Sequence, residues 1–148
     1  MFSDIHHVSY LVPDLDAAIE SYARMFGAAV TGRGAVANLG EVAFLQAGGV
    51  EVEFIRPEDP SALEGSGGGY AVHHVAYAVN DLDRVVAEHR SRGFRFLTDE
   101  PFTNFMGYRL IYFDPADTGG CRAHLTDAAT LPKFPLPPGE GQGGGALW

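Results

Sequence analysis

The sequence predicts an α+β domain made of two tandem copies of one βαβββ module, and three observations carry this reading. The segment IHHVSYLVPDLD at residues 5–16 returns as VHHVAYAVNDLD at residues 72–83, an ungapped match in which His-His-Val, Tyr, Val and Asp-Leu-Asp recur in register. Each copy is followed by a helical pattern with start and stop signals. Each half then supplies three short β-rich segments.

The elements follow in order. The apolar runs IHHVSYLV and VHHVAYAV read as the opening strands of the two modules. Asp14 is positioned to cap a helix over LDAAIESYARMF, whose Leu15, Ala18, Ile19, Tyr22 and Phe26 share one face, with Gly27 as the stop. Asp81 does the same for LDRVVAEHRSR, ended by Gly93, and His89 within that helix is expected to be solvated. The remaining strands are AAVTGR, EVAFLQ and VEVEFIR in the first half, then FRFLT, YRLIYF and CRAHLT in the second. The modules span about residues 5–56 and 70–127 of one domain over 1–127, joined by the Pro/Gly/Ser-rich linker 57–69. Residues 128–148 read as a Pro/Gly-rich C-terminal tail, whose apolar end from Ala146 to Trp148 is a candidate docking segment.

Composition narrows the function. A chain of 148 residues, 46% hydrophobic and 20% charged, is long enough and apolar enough for one ordinary core, with no excess for a membrane span. The net charge of −9 argues against nucleic acid and anionic membrane as partners. The opening residues show no signal peptide, so a cytoplasmic location is the expectation. Cys121 is the single cysteine, which leaves histidine and carboxylate as the available metal ligands.

The repeat nominates those ligands. Side chains alternate across a strand, so His6 and His7 should point apart, as should His73 and His74, leaving one of each pair for a shared cleft. GGVEVEF at 48–54 lines up with GGCRAHL at 119–125 and sets Glu53 opposite His124. With the copies related by a pseudo-twofold, His7, Glu53, His74 and His124 converge near the axis. Three imidazoles and a carboxylate suit Zn, Ni, Co, Mn or Fe(II) better than Ca or Mg. Glu51 shares the face of Glu53 and is the rival for its place. His6 and His73 are expected to hydrogen-bond under the helices. By the same alternation Ser9, Ile55, Arg122 and Thr126 flank the site. Arg122 is a candidate partner for a substrate anion, and the aromatic segment EPFTNFMGYR, with Asn104, suits a loop over a small ligand. Tyr112 is a further candidate for the cleft.

These residues resemble the vicinal oxygen chelate superfamily, which includes glyoxalase I, methylmalonyl-CoA epimerase, extradiol dioxygenases and bleomycin-resistance proteins. The resemblance covers about residues 5–127 and is nearest to the epimerase-like and glyoxalase-like members, through HHVSYLVPDLDAAIESYARMFG, VEVEFIRPED, VHHVAYAVNDLD and FDPADTGGCRAHL. It implies a curved mixed sheet around a metal-binding cleft, with His7, Glu53 and His74 as ligands. His124 stands where the epimerase and glyoxalase patterns have glutamate. The epimerase pattern also has an acid on the strand before VEVEF, near Ala37 here, and Glu41 is the nearest acid. The implied activity is that of a divalent-metal-dependent isomerase, epimerase or lyase acting on a small carbonyl or thioester through an enolate-like intermediate, with His124 and Glu53 as candidate catalytic groups. Two alternatives are a non-haem Fe(II) extradiol-type dioxygenase and a small-molecule binding or resistance protein without turnover. The resemblance also implies a homodimer.

Overall fold

The computed structural model describes residues 2–132, so most of the tail, including Ala146 to Trp148, lies outside the described residues. The first module runs β1 (Phe2–Leu11), α1 (Leu15–Phe26), β2 (Ala29–Val36), β3 (Gly40–Ala47) and β4 (Val50–Pro57); the second runs β5 (Ala71–Val79), α2 (Leu82–Ser91), β6 (Phe102–Thr103), β7 (Arg109–Tyr112) and β8 (Ala123–Asp127). The two-module α+β architecture read from the repeat is the observed one.

Helix α1 begins and ends where its signals stand. The Asp14 Oδ1 accepts from the Ala17 N–H at 3.0 Å, and Gly27, at φ 63°, takes the left-handed turn that stops the helix. At α2 the Asp81 Oδ1 accepts from the Arg84 N–H at 3.2 Å. His89 departs from expectation: it is buried, its Nδ1 is 2.8 Å from the Val85 carbonyl, and Phe2, Phe94 and Phe113 surround its ring. The reason is spacing, because Leu82, Val85, Val86 and His89 fall on the same inward stripe.

All eight strands form one mixed sheet in the order β2-β3-β4-β1-β5-β8-β7-β6. β1 and β5 meet antiparallel at its centre, and each pairs on its outer side in parallel with the last strand of its own module, β4 or β8. This is the pseudo-twofold arrangement: equivalent strands of the two modules lie side by side. The segment FRFLT does not become a strand. Only Phe96 forms a bridge, to Phe113, and Phe102–Thr103 takes the edge position against β7. The Arg95 N–H and guanidinium are instead held by Asp117.

Each helix packs on one side of the sheet over its own core. Val12, Leu15, Ala18, Leu45 and Phe54 lie under α1, and Val79, Leu82, Val86, Ile111 and Leu125 under α2. The other face carries a third apolar cluster of Leu11, Val42, Phe44, Ile55, Tyr108 and Leu110, drawn from both modules. The loop around Phe105 and Met106 reaches across to the first module, where Gly32 and Gly34 in β2 make room: a Cβ on Gly32 would lie 2.2 Å from the Met106 sulfur, and one on Gly34 3.1 Å from the Phe105 ring. Among the described residues, no helix is long and apolar enough to cross a membrane.

Candidate metal centre at the seam of the two modules

The β1–β5 ladder is not regular. Ile5 pairs with Tyr77 and His7 with Ala76, so His6 is an extra residue in β1; Ser9 pairs with His74 and Tyr10 with Val72, so His73 is an extra residue in β5. Such bulges re-aim side chains. Here they bring the rings of each His-His pair into edge-to-face contact, with Nδ1 to Nδ1 distances of 2.7 Å for His6–His7 and 2.8 Å for His73–His74. The expectation that His6 and His73 sit under the helices is therefore corrected. They back up His7 and His74 from behind.

His7, His74 and His124 are all buried and present ring nitrogens within 4.8 Å of one another, with His7 Nε2 only 2.9 Å from His74 Nε2. The Glu53 Oε2 is 3.3 Å from His74 Nε2 and 3.9 Å from His7 Nε2, buried and without a hydrogen bond. A carboxylate oxygen left unpaired among imidazole nitrogens is a costly arrangement unless a cation shares the space. The His124 Nδ1 is 2.9 Å from the Thr126 hydroxyl, which holds the ring by its far nitrogen and leaves Nε2 for a ligand role. The four side chains thus fit a divalent ion of the imidazole-favouring kind. Glu51 does not compete for that place. Its oxygens face the Thr31 hydroxyl at 2.8 Å, the Tyr108 hydroxyl at 3.0 Å and His6 Nε2 at 3.2 Å.

Electrostatics follow from burial. Desolvation, followed by repulsion from His124 and other neighbouring imidazoles, holds His7 well below the usual histidine range. Burial lowers His74 to about 2 and His124 to about 3, so all three rings are neutral, as ligands must be. Burial pushes the Glu53 carboxyl up to about 7, with Glu51 adding to the rise against a lowering contribution from Ser9. Burial also raises the Tyr112 phenol, with Glu53 adding to it.

The four residues border a small cavity of about 180 Å³, walled also by Phe44, Phe105 and Tyr112. Tyr112 pairs with His124 across β7 and β8, and its ring centroid lies 4.8 Å from that imidazole. Asn104 borders the cavity too, but its Oδ1 accepts from the Met106 and Tyr108 N–H groups at 3.0 Å and so shapes the loop. Arg122 lies just before β8 with Nη1 2.9 Å from His73 Nε2, so it faces an imidazole rather than the cavity. Ser9 is buried between Glu53 and His74 in register, and Ile55 belongs to the apolar wall. Glu41 is half-buried and paired to Arg56 at 3.0 Å; the buried positions beside it on β3 include Val42 and Phe44, which bring no acid to the cavity side. Sequence alternation missed the roles of His6, His73 and Glu51; the doubled histidine in both copies was the signal present.

Comparison with known proteins agrees with this geometry. Residues 6–113 match the family model described as the Glyoxalase/Bleomycin resistance protein/Dioxygenase superfamily. The ethylmalonyl-CoA/methylmalonyl-CoA epimerase of Cereibacter sphaeroides is 30% identical over 132 residues, covering 84% of this chain and 98% of the relative. The human mitochondrial methylmalonyl-CoA epimerase is 28% identical over 131 residues, covering 84% of this chain and 73% of the relative. Among solved structures, a Streptomyces coelicolor methylmalonyl-CoA epimerase variant in complex with 2-nitronate-propionyl-CoA superposes with a TM-score of 0.74 at 28% identity, covering 87% of this chain and 99% of that one. With two βαβββ modules around a buried cluster of three histidines, and a family match over residues 6–113, the chain belongs to the glyoxalase/bleomycin resistance protein/dioxygenase superfamily.

Proposed function

We propose that this chain is a divalent-metal-dependent isomerase of the epimerase type, moving a proton at the carbon next to the carbonyl of a small acyl thioester. The observation that carries the reading is the unpaired, buried Glu53 Oε2 set among the ring nitrogens of His7, His74 and His124 at the foot of a small cavity. His7, Glu53, His74 and His124 would hold the ion, which when bound supplies Lewis-acid polarisation of a carbonyl oxygen.

The chain's own residues supply the rest. A cavity of about 180 Å³ admits the reacting end of a thioester but not a bulky handle, which must lie outside. Phe44 and Phe105 wall it with apolar surface and keep bulk water from the acidic carbon. Glu53, whose carboxyl burial raises to about 7 in the ion-free site, would take up and return a proton only on release from the ion, which while bound favours the carboxylate. His124, tied through Nδ1 to Thr126, is better suited to holding an ion than to swinging as a base. The relatives named as methylmalonyl-CoA epimerases support the substrate class. A cytoplasmic homodimer belongs to the same reading, and light scattering tests the dimer.

One observation keeps a second reading in view. His7, His74 and Glu53 make the two-histidine, one-carboxylate set that also serves non-haem iron and oxygen chemistry, with His124 as a fourth donor that would leave fewer open positions. A single experiment separates the two. Untagged native chain and His74→Ala are analysed for metal, then given methylmalonyl-CoA in deuterated water under air. The epimerase reading expects roughly one divalent ion per native chain, lost in the variant, and deuterium entering the substrate. Iron with oxygen uptake and no deuterium would replace it with the dioxygenase reading. No metal after reconstitution would overturn both in favour of a binding protein.

A further inference from the structure

Six groups lie in one line across the seam. The Arg122 Nη1 stands 2.9 Å from His73 Nε2, His73 Nδ1 is 2.8 Å from His74 Nδ1, and His74 Nε2 is 2.9 Å from His7 Nε2. His7 Nδ1 is then 2.7 Å from His6 Nδ1, and His6 Nε2, which has no hydrogen-bond partner of good geometry, lies 3.2 Å from Glu51 Oε2, a contact that favours an N–H over a lone pair on that nitrogen. A guanidinium only donates and a carboxylate only accepts. With one N–H on each ring, the two ends leave a single order of donors from Arg122 to Glu51.

That order has unequal consequences for the two halves of the site. At the Glu51 end, His6 carries its proton on Nε2, so His6 Nδ1 accepts from His7 Nδ1–H and the His7 Nε2 lone pair is ready for a cation. At the Arg122 end, His73 Nε2 accepts, so His73 Nδ1–H donates to His74 Nδ1 and the His74 proton sits on Nε2, the nitrogen that faces the site. His74 becomes a ligand only when its proton moves to Nδ1. His73 Nδ1 must then accept, and His73 Nε2 must carry the proton. Two donors, Arg122 Nη1 and His73 Nε2–H, would face each other at 2.9 Å.

We infer that Arg122 is a gate on metal loading: its hydrogen bond to His73 holds His74 in the tautomer that cannot bind, and loading breaks that bond, whereas the Glu51–His6 arm readies His7 and stays in place throughout. This rests on the metal-site reading above. The burial of the two ends fits the assignment of the moving part. Glu51 is fully buried and also anchored by Thr31 and Tyr108, whereas Arg122 is exposed and reaches water by a side-chain rotation. Burial pushes Glu51 up, but His6, Thr31 and Tyr108 together bring it below the ordinary carboxylate range, so it stays an acceptor. The exchange at His73 and His74 conserves protons: each ring keeps one N–H and only its position changes. Arg122 and Glu51 are thus positioning residues that act through His73 and His6.

The test uses full-length, metal-stripped chain with zinc alone, titrated in competition with a chromophoric chelator, and reads imidazole tautomers by long-range ¹H–¹⁵N NMR. Glu51→Gln is expected to weaken zinc binding about tenfold. Arg122→Gln, whose amide oxygen accepts from His73 Nε2–H, is expected to tighten it by about tenfold, the equivalent of about 1.4 kcal/mol. Arg122→Lys keeps a donor and a charge and should stay near the native value. In the native chain zinc should move the proton of His73 from Nδ1 to Nε2 and of His74 from Nε2 to Nδ1, with His6 and His7 unchanged, a signature that a merely electrostatic role would not produce. Zinc binding without that exchange, or a loss of affinity in Arg122→Gln, overturns the gate and leaves the metal site standing. Failure of the native chain to bind zinc, or any other ion, overturns the metal reading itself and the gate with it.

Discussion

Acidifying the metal-stripped protein is the sharpest test of how the site is buried. His7, His74 and His124 are held far below their ordinary value of 6.5, with His74 near 2 and His124 near 3. Their contribution to stability is complete above about pH 6.5 and is lost as pH falls, because the unfolded chain takes up protons that the folded rings refuse. Glu53 works in the opposite sense. Its folded value near 7 exceeds its ordinary 4.5, so it favours the fold at low pH and withdraws that support as pH rises through 7. His73 joins the three imidazoles, lowered to about 4 by burial and by Arg122, so between about pH 5 and pH 6 the unfolded chain holds four imidazole protons against one on folded Glu53, a surplus of about three, or about 4 kcal/mol lost per pH unit as pH falls. For a chain of this size that is a fall in Tm of roughly 12 °C between those two pH values. Scanning calorimetry of the chelator-treated chain measures it. His124→Gln, which removes one of the four imidazoles, should lower the slope by about a third. A Tm that is flat over this range would mean that water reaches the imidazoles and that the electrostatic account of the site is wrong.

Three further outcomes are expected. Phe44→Ala removes a buried ring whose centroid is 5.3 Å from that of His7 and 5.7 Å from that of Tyr108, and should cost about 3–5 kcal/mol in denaturant unfolding. Gly40→Ala places a Cβ 2.0 Å from the Arg56 carbonyl oxygen at a φ of 137°, so β3 must separate from β4, and the expected loss of roughly 3 kcal/mol or more would be read from soluble yield and Tm. Asp14→Ala removes the α1 cap and should cost about 1 kcal/mol by urea unfolding, with metal affinity unchanged.

Much of the architecture could be read from the chain before any coordinates. The repeat predicted two modules, Asp14 and Gly27 bounded α1, and matching Glu53 to His124 and His7 to His74 nominated four residues that the fold gathers at one place. What escaped did so for a common reason. Strand alternation assumes a ladder without extra residues, and the bulges at His6 and His73 break that assumption where the site is built. Glu51 could be read only as a rival to Glu53 until Thr31, Tyr108 and His6 were seen to occupy it. FRFLT has the composition of a strand, but its pairing reduces to the single bridge at Phe96. Arg122 was placed on the right strand neighbourhood by alternation, yet its partner depends on a bulge in a different strand.

The position of the site across β1 and β5 has a consequence for how the chain holds together. On the metal-site reading each module contributes two of the four donors, His7 and Glu53 from one and His74 and His124 from the other, so each by itself would be a weak two-toothed chelator. Higher affinity would come from the fold presenting the second pair at the effective concentration of a docked neighbour. An ion bound there stabilises the docking of the halves against each other, by an amount set through its concentration and affinity, more than it stabilises either half. Two fragments divided in the segment between β4 and β5 should then find each other in the presence of the ion and drift apart when it is chelated, which would make the ion a removable pin in a hinge between two leaves built on one repeat.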